Sequence, residues 1–212
     1  QEFWKLLLPT LQLPELTKLY TGTLENYIVA LDGSSREKRR PEPFLDLSLE
    51  LSNSIESSLY KLFGEPELLS GDNGWRPERD EDRIDAHKGT RLLSPENLPP
   101  ILQLHLKRFQ VDWERNGSIL NINDRCAFPQ CLSVPTANGE TCEFELQSVV
   151  IHAGAYESGH YYSYVRPNLD DDAWFRFNDN AVERVSFQEV AQDGYGGTLT
   201  KEKKRKKKGK IK

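Results

Sequence analysis

His160 directly precedes two segments that favour β-strands, within the stretch GHYYSYVRPNLDDDAWFRFND at residues 159–179. Residues 161–166 and 173–177 are rich in aromatic and β-branched side chains, and the polar segment between them is typical of a turn. Simple antiparallel register about this turn pairs positions whose numbers add to about 339. His160 then faces Asn178 or Asp179, within reach of a side-chain hydrogen bond.

An imidazole that donates one N–H to an amide or carboxylate oxygen resembles a general base and its orienting group. An asparagine can fill the orienting position, as Cys-His-Asn triads demonstrate. Gly159 leaves room beside His160 for a narrow, extended substrate. Pairing geometry also allows an ordinary structural histidine at a strand end, so both interpretations stay open at this point.

The composition sets the class of protein in which such a site would lie. A chain of 212 residues with 37% hydrophobic residues is long enough for one sizeable core. It has no apolar run of roughly 18 residues and no signal-peptide pattern, which predicts a soluble intracellular protein. Methionine is absent and the chain opens in mid-pattern. We therefore expect an internal fragment of a longer protein.

The cysteines argue against metal and disulfide chemistry. Cys126, Cys131 and Cys142 are odd in number and form no C-x-x-C pair. This pattern predicts reduced thiols, no metal site and no cofactor.

Charge is concentrated at the C-terminus. Residues 201–212, KEKKRKKKGKIK, carry nine of the 28 basic residues and one of the 33 acidic residues, which leaves 19 basic and 32 acidic residues before them. An acidic body with a basic tail over residues 198–212 is expected. The tail is interpreted as a solvated run, with a nuclear-import or nucleic-acid patch as the alternative.

The first part of the chain contains both helical and strand patterns. The predicted elements are a helix over residues 2–13 limited by Pro9 and Pro14, antiparallel strands around 27–31 and over 45–51, and a helix over 55–63 that Gly64 closes. Residues 34–43 predict a polar connector, and residues 65–90 predict an exposed, mobile excursion.

The second part is dominated by strand patterns. Residues 98–112, LPPILQLHLKRFQVD, predict one strand that is buried on both faces, and Asn116-Gly117 indicates a turn after it. Further strands are predicted over 144–153, 161–166, 173–177 and 182–185. Ser186 and Glu189 form a capping-box pattern that opens a short helix. The expected fold class is α+β with a mainly antiparallel sheet.

Four motifs in order resemble the catalytic domain of ubiquitin-specific proteases, the papain-like cysteine deubiquitinases. They are LPPILQLHLKRF, NINDRCAFP, VVIHAGAYESGHYYSYVRP and WFRFNDNAVERV. The resemblance covers residues 1–197 and implies a fingers, palm and thumb fold. Residues 1–20 would end the thumb helices, 21–95 would form the fingers and connector, and 96–197 the palm. Within the family, the chain most resembles the herpesvirus-associated branch. Two features carry this resemblance: Tyr-Gly-Gly after the last predicted helix, and fingers without zinc-binding cysteines.

The resemblance implies a role for each candidate site residue. His160 would be the general base, Asn178 its orienting partner, and Asp179 the following acidic residue. Tyr161 and Gly159 would line a channel for the ubiquitin tail, bordered by two loops at residues 111–123 and 153–159. The implied partners are ubiquitin and ubiquitinated proteins, and the implied location is the nucleus or the cytoplasm.

The family's nucleophilic cysteine lies in a box upstream of the motifs found here. None of the three cysteines has that sequence context, and Cys126 is predicted to be a buried core thiol. The expected activity is therefore that of a parent deubiquitinase, with this chain alone inactive. The alternative is a ubiquitin-binding module without chemistry.

The other histidines and the aromatic residues are assigned structural roles. His105 and His152 are expected to form local hydrogen bonds in strands, and His87 lies in the polar excursion. The aromatic residues lack interleaved basic residues, so they are interpreted as core and sheet residues rather than a nucleic-acid platform.

Overall fold

The computed structural model describes residues 2–113, 117–155 and 158–197. These residues form two compact units. The first contains residues 2–107 and 129–146, and the second contains residues 108–128 and 147–197 with the gaps just given. The basic tail, Asn116 and parts of both predicted loops lie outside the described residues.

Helices and strands alternate along the chain. In order they are α1 Glu2–Leu11, α2 Pro14–Tyr20, β1 Gly22–Ala30, β2 Glu37–Phe44, β3 Leu47–Leu49, α3 Ile55–Phe63, β4 Glu67–Leu69, β5 Ala86–Arg91, β6 Leu104–Leu106, β7 Phe109–Asp112, β8 Ser118–Asn121, β9 Cys131–Pro135, β10 Thr141–Glu145, β11 Ser148–Ala155, β12 Ser158–Val165, β13 Trp174–Asn178, β14 Ala181–Val185 and α4 Phe187–Gly194. All paired strands except β3 and β6 run antiparallel, which confirms the predicted α+β class.

The first unit begins with two helices where one was predicted. Pro9 lies inside α1 and does not end it, and the helix stops two residues later, before Gln12 takes a positive φ of 52°. Pro14 then opens α2, since the first turn of a helix needs no N–H from that residue.

The main sheet of the first unit has the strand order β2-β1-β5-β4. Three of its strands contradict the sequence prediction: β2 lies in the predicted connector, and β4 and β5 lie in the predicted mobile excursion. All of β2 except Phe44 is exposed, so it has no apolar alternation to reveal it. Its prolines, Pro41 and Pro43, are tolerated because β2 is an edge strand.

The predicted long strand over residues 98–112 is also wrong. Residues 104–106 form β6, which pairs in parallel with β3, and residues 109–112 form β7 in the second unit. The parallel pair also corrects the expectation that residues 45–51 lie in an antiparallel sheet. The segment predicted as 144–153 divides into β10 and β11, and β9 was not predicted.

α3 confirms its predicted start and end. Ser54 caps its first turn by accepting a hydrogen bond from the Ser57 amide at 3.2 Å. The Gly64 amide donates to the Tyr60 carbonyl at 2.7 Å and closes the last turn. Ile55 and Leu59 are buried against the unit's core.

The second unit contains a hairpin, β7–β8, and a sheet with the order β11-β12-β13-β14. The predicted capping box opens α4: the Ser186 amide donates to the Glu189 carboxylate at 2.9 Å, and the Glu189 amide donates to the Ser186 hydroxyl at 3.3 Å. Trp174, Val190 and Cys126 are fully buried in this unit. The core therefore anchors β13, the strand that carries Asn178 at its end.

Replacing Trp174 with alanine should lower the free energy of unfolding by about 3–5 kcal/mol, because the indole is fully buried and its removal leaves a large cavity. Trp113, which is 84% exposed, gives the matched control, and Trp113→Ala should change stability by less than about 0.5 kcal/mol. Urea unfolding followed by far-ultraviolet circular dichroism measures both values. Equal costs for the two variants would contradict this assignment of the core.

Candidate active site

The β12–β13 hairpin has a register one residue away from the predicted one. Its pairs are Ser163↔Phe177, Tyr164↔Arg176 and Val165↔Phe175, and pairing ends at Ser163. His160 lies beyond that point and pairs across β11–β12 with Ala153. The predicted ladder pair of His160 with Asn178 or Asp179 is therefore absent from the described strands.

His160 and Asn178 nevertheless meet through their side chains. Side chains alternate between the faces of a sheet, so His160, Tyr162 and Tyr164 share one face of β12, and Arg176 and Asn178 share the same face of β13. His160 Nε2 lies 2.5 Å from Asn178 Oδ1. The residues predicted as base and orienting group are thus in hydrogen-bond contact.

This contact defines which ring nitrogen of His160 is available. An amide oxygen can only accept a hydrogen bond, so Nε2 must carry the proton in the neutral ring. Nδ1 then presents its lone pair, and it has no hydrogen-bond partner among the described residues. The side chain is 48% exposed, so a reacting group can approach the ring from solvent.

Asp179 is a peripheral neighbour of the pair. Its Oδ2 lies 3.9 Å from His160 Nε2, which is too long for a hydrogen bond, and its side chain is 78% exposed. Asp179 occupies the turn between β13 and β14 with a φ of 51°, a left-handed conformation that aspartate tolerates better than most residues.

Two tyrosines support the same face behind His160. The Tyr162 ring stacks on the imidazole with centroids 6.2 Å apart. The hydroxyls of Tyr162 and Tyr164 both donate to Asp193 Oδ2, at 2.6 Å and 2.8 Å. Burial and the bond to Asp193 raise the pKa of Tyr162 above its usual range and that of Tyr164 to about 12, so both hydroxyls stay protonated donors. The sequence analysis missed Asp193, although the alternation of His160, Tyr162 and Tyr164 was visible.

Tyr161 and Gly159 lie on the opposite face of β12 from His160. Tyr161 is 65% exposed, and its ring contacts the imidazole of His152, which pairs with it across the ladder. The same imidazole covers Gly159. Their assignment to a substrate channel stays a prediction.

The cysteines show no activated nucleophile among the described residues. Cys126 is fully buried, as predicted. Cys131 is exposed, and its thiol donates to the Glu143 carboxylate at 3.4 Å. That hydrogen bond raises the pKa of Cys131 and disfavours the thiolate. Cys142 is half-buried.

The remaining histidines lie in strands. His105 Nδ1 is 3.3 Å from the Ser48 hydroxyl, and burial lowers the pKa of its imidazole. His87 belongs to β5 rather than to a mobile segment. Within the described ranges, no cluster of histidine, cysteine and acidic side chains is arranged to hold a metal ion. No helix there combines the length and apolar character that crossing a bilayer requires.

Asn178→Ala should change the tautomer of His160, because it removes the oxygen that accepts from Nε2–H. Long-range ¹⁵N–¹H NMR spectra should show a smaller fraction of the Nε2–H form in the neutral ring. Asn178→Asp is the matched control, since it keeps an acceptor oxygen at the same position and should retain the Nε2–H form. An unchanged tautomer in the alanine variant would show that the 2.5 Å contact does not orient the ring.

Comparison with known proteins relates this chain to a family. Residues 2–204 match the family model described as ubiquitin carboxyl-terminal hydrolase. The chain is 34% identical over 194 residues to Ubiquitin C-terminal hydrolase 13 of Arabidopsis thaliana, covering 86% of this chain and 17% of that protein. It is 34% identical over 190 residues to Ubiquitin carboxyl-terminal hydrolase 15 of Schizosaccharomyces pombe, covering 86% and 16%. The chain thus spans about a sixth of the length of these relatives.

Solved structures with the same fold include two structures of the SAGA DUB module. In the yeast SAGA DUB module with a mutant Sgf73, the matched chain gives a TM-score of 0.72 at 29% identity, with 84% of this chain and 40% of that chain covered. In the SAGA Ubp8/Sgf11/Sus1/Sgf73 DUB module bound to ubiquitin aldehyde, the TM-score is 0.74 at 27% identity, with 92% and 47% covered. The catalytic-domain fold that the motifs resemble is confirmed, and the chain belongs to the ubiquitin carboxyl-terminal hydrolase family.

Proposed function

We propose that this chain supplies the histidine half of a cysteine deubiquitinase, which hydrolyses the isopeptide or peptide bond after the C-terminal glycine of ubiquitin. The observation that carries the proposal is the His160–Asn178 hydrogen bond, which leaves His160 Nδ1 accessible. A base and its orienting group on an exposed strand end are what thiol proteolysis requires of this half of the site.

The described thiols are poorly suited to act as the nucleophile, because Cys126 is inaccessible and Cys131 donates to a carboxylate. We place the attacking cysteine outside these 212 residues, because none of Cys126, Cys131 and Cys142 has the sequence context of the family's nucleophile. His160 Nδ1 takes the proton from that thiol, and the thiolate attacks the carbonyl carbon of the ubiquitin tail. His160 then returns the proton to the leaving amine, and a water molecule completes hydrolysis of the acyl-enzyme.

Asn178 keeps the ring in the productive tautomer through both proton transfers. The amide is neutral, so it stabilises the imidazolium by its dipole and by hydrogen bonding rather than by a full charge. Asp179 adds a negative charge 3.9 Å from Nε2. On the other face of β12, exposed Tyr161 and Gly159 are assigned to the channel that receives the ubiquitin tail.

Ubiquitin and ubiquitinated proteins are the proposed partners. A matched solved structure is described as bound to ubiquitin aldehyde, and that occupant is transferred here as part of the proposal. The acidic balance of the chain, with a net charge of −5, suits a partner with a basic tail. The nucleus or the cytoplasm is the proposed location, and nucleic-acid contact is restricted to the basic tail.

A second candidate is a ubiquitin-binding module that retains the fold without chemistry. The absence of an activated thiol among the described residues favours it for the chain by itself. The likeness to the herpesvirus-associated branch stays a prediction from the motifs, because the relatives carry several different member names and select no branch.

The test uses the natural full-length protein that contains this chain and a ubiquitin probe with a C-terminal electrophile. We expect a cysteine outside residues 1–212 to be labelled, and His160→Ala to slow labelling by about 100-fold or more, since the base that forms the thiolate is lost. His87→Ala is the control, because His87 lies in a strand of the first unit and has no proposed part in the chemistry.

An unchanged labelling rate in His160→Ala would overturn the role of His160. Reversible ubiquitin binding without labelling of the natural protein would instead support the binding-module alternative.

A further inference from the structure

The place where Gly159 would carry a side chain is filled by the imidazole of His152. A Cβ atom at position 159 would overlap His152 Nε2 and would lie 2.5 Å from Cε1 and 2.6 Å from Cδ2. Gly159 is not among the glycines with positive φ, so its backbone conformation is open to other residues. Glycine is therefore required at position 159 because the His152 ring leaves no room for a Cβ atom, and not because of the backbone conformation.

Two aromatic rings hold the His152 imidazole in this place. The Tyr161 ring centroid is 4.5 Å away in a tilted arrangement, and the Phe109 centroid is 5.5 Å away in an edge-to-face arrangement. Rotation of the His152 side chain away from position 159 would break these ring contacts.

His152 acts here through its shape rather than its proton chemistry. Its Nδ1 is buried and has no hydrogen-bond partner among the described residues. The local hydrogen bond expected for His152 is therefore absent at Nδ1. A flat ring of the same size without nitrogen would make the same contacts with Gly159, Phe109 and Tyr161.

The contact acts on the backbone next to the base. Gly159 immediately precedes His160, and both belong to the β11–β12 ladder, where Gly154 pairs with Gly159 and Ala153 pairs with His160. His152 covers one face of β12 at residue 159, and the His160 side chain projects from the other face at residue 160. A displacement of Gly159 away from the imidazole would move His160 relative to Asn178.

We infer that His152 is a positioning residue for the reaction. Its ring packs against Gly159 and thereby fixes the backbone position from which the His160 side chain reaches Asn178. The inference rests on the proposed function, in which His160 is the general base. Misplacing a catalytic group by about 1 Å can lower the rate by about 100-fold. The contact of His152 with Gly159, the residue next to the base, can therefore change the rate measurably.

The test compares variants of the natural full-length protein in the hydrolysis of a ubiquitin C-terminal amide substrate. Gly159→Ala should lower kcat by about 100-fold, because the base is displaced, whereas loss of the channel contact assigned to Gly159 would appear in KM. His152→Ala should lower kcat by about tenfold, since the ring that seats Gly159 is gone. The double variant should recover to within about tenfold of the natural protein, because the new methyl group occupies the space that the imidazole leaves.

His152→Phe separates packing from proton chemistry. Phenylalanine supplies a somewhat larger flat ring without a titratable nitrogen, so it should restore part of the kcat that His152→Ala loses. Gly159→Ala combined with His87→Ala is the matched control for the rescue, because removal of His87 opens no space at position 159. Thermal unfolding of each variant identifies any that fail to fold.

The outcomes separate this inference from the proposed function. If His160→Ala abolishes hydrolysis and the double variant is no faster than Gly159→Ala, the positioning role is overturned while His160 stays the base. If His160→Ala leaves kcat unchanged, the proposed function itself fails. Failure of His152→Phe to exceed His152→Ala would reject action through ring packing.

Discussion

The hydrogen bond from His160 to Asn178 depends on where the pairing between β12 and β13 stops. Up to Ser163↔Phe177 the two backbones are bonded, and beyond that point β12 remains paired with β11 alone. Where the two backbones separate, the side chains of His160 and Asn178 make the contact between the strands. A ladder continued to residue 160 in the same register would place residue 180 opposite His160, two positions beyond Asn178.

Both faces of β12 contribute to this arrangement through different forces. On the His160 face, Asp193 accepts from two tyrosine hydroxyls and ties α4 to the strand by charge-assisted hydrogen bonds. On the other face, contacts are aromatic and nonpolar in character, between His152, Tyr161 and Phe109. Hydrogen bonds therefore orient the side chains on the His160 face of β12, while ring packing holds the side chains on the opposite face.

The sequence predicted those elements whose signals are local. α3 and α4 carry capping residues at their ends, and the β12–β13 hairpin carries aromatic strands around a polar turn, so all three were found and His160 and Asn178 were brought together. β2 and β5 were missed because their side chains are mainly polar and their strand character comes from backbone pairing with β1. The fit of His152 onto Gly159 was also beyond the sequence, because it depends on ladder register and on Phe109 from a separate hairpin.

The edge formed by β2 has a consequence for how other chains meet the first unit. Pro41 and Pro43 stand at alternate positions, so both lack an amide hydrogen on the same side of the strand. An incoming strand would find donors missing where it needs a continuous ladder. Backbone extension of the sheet at β2 is thereby disfavoured.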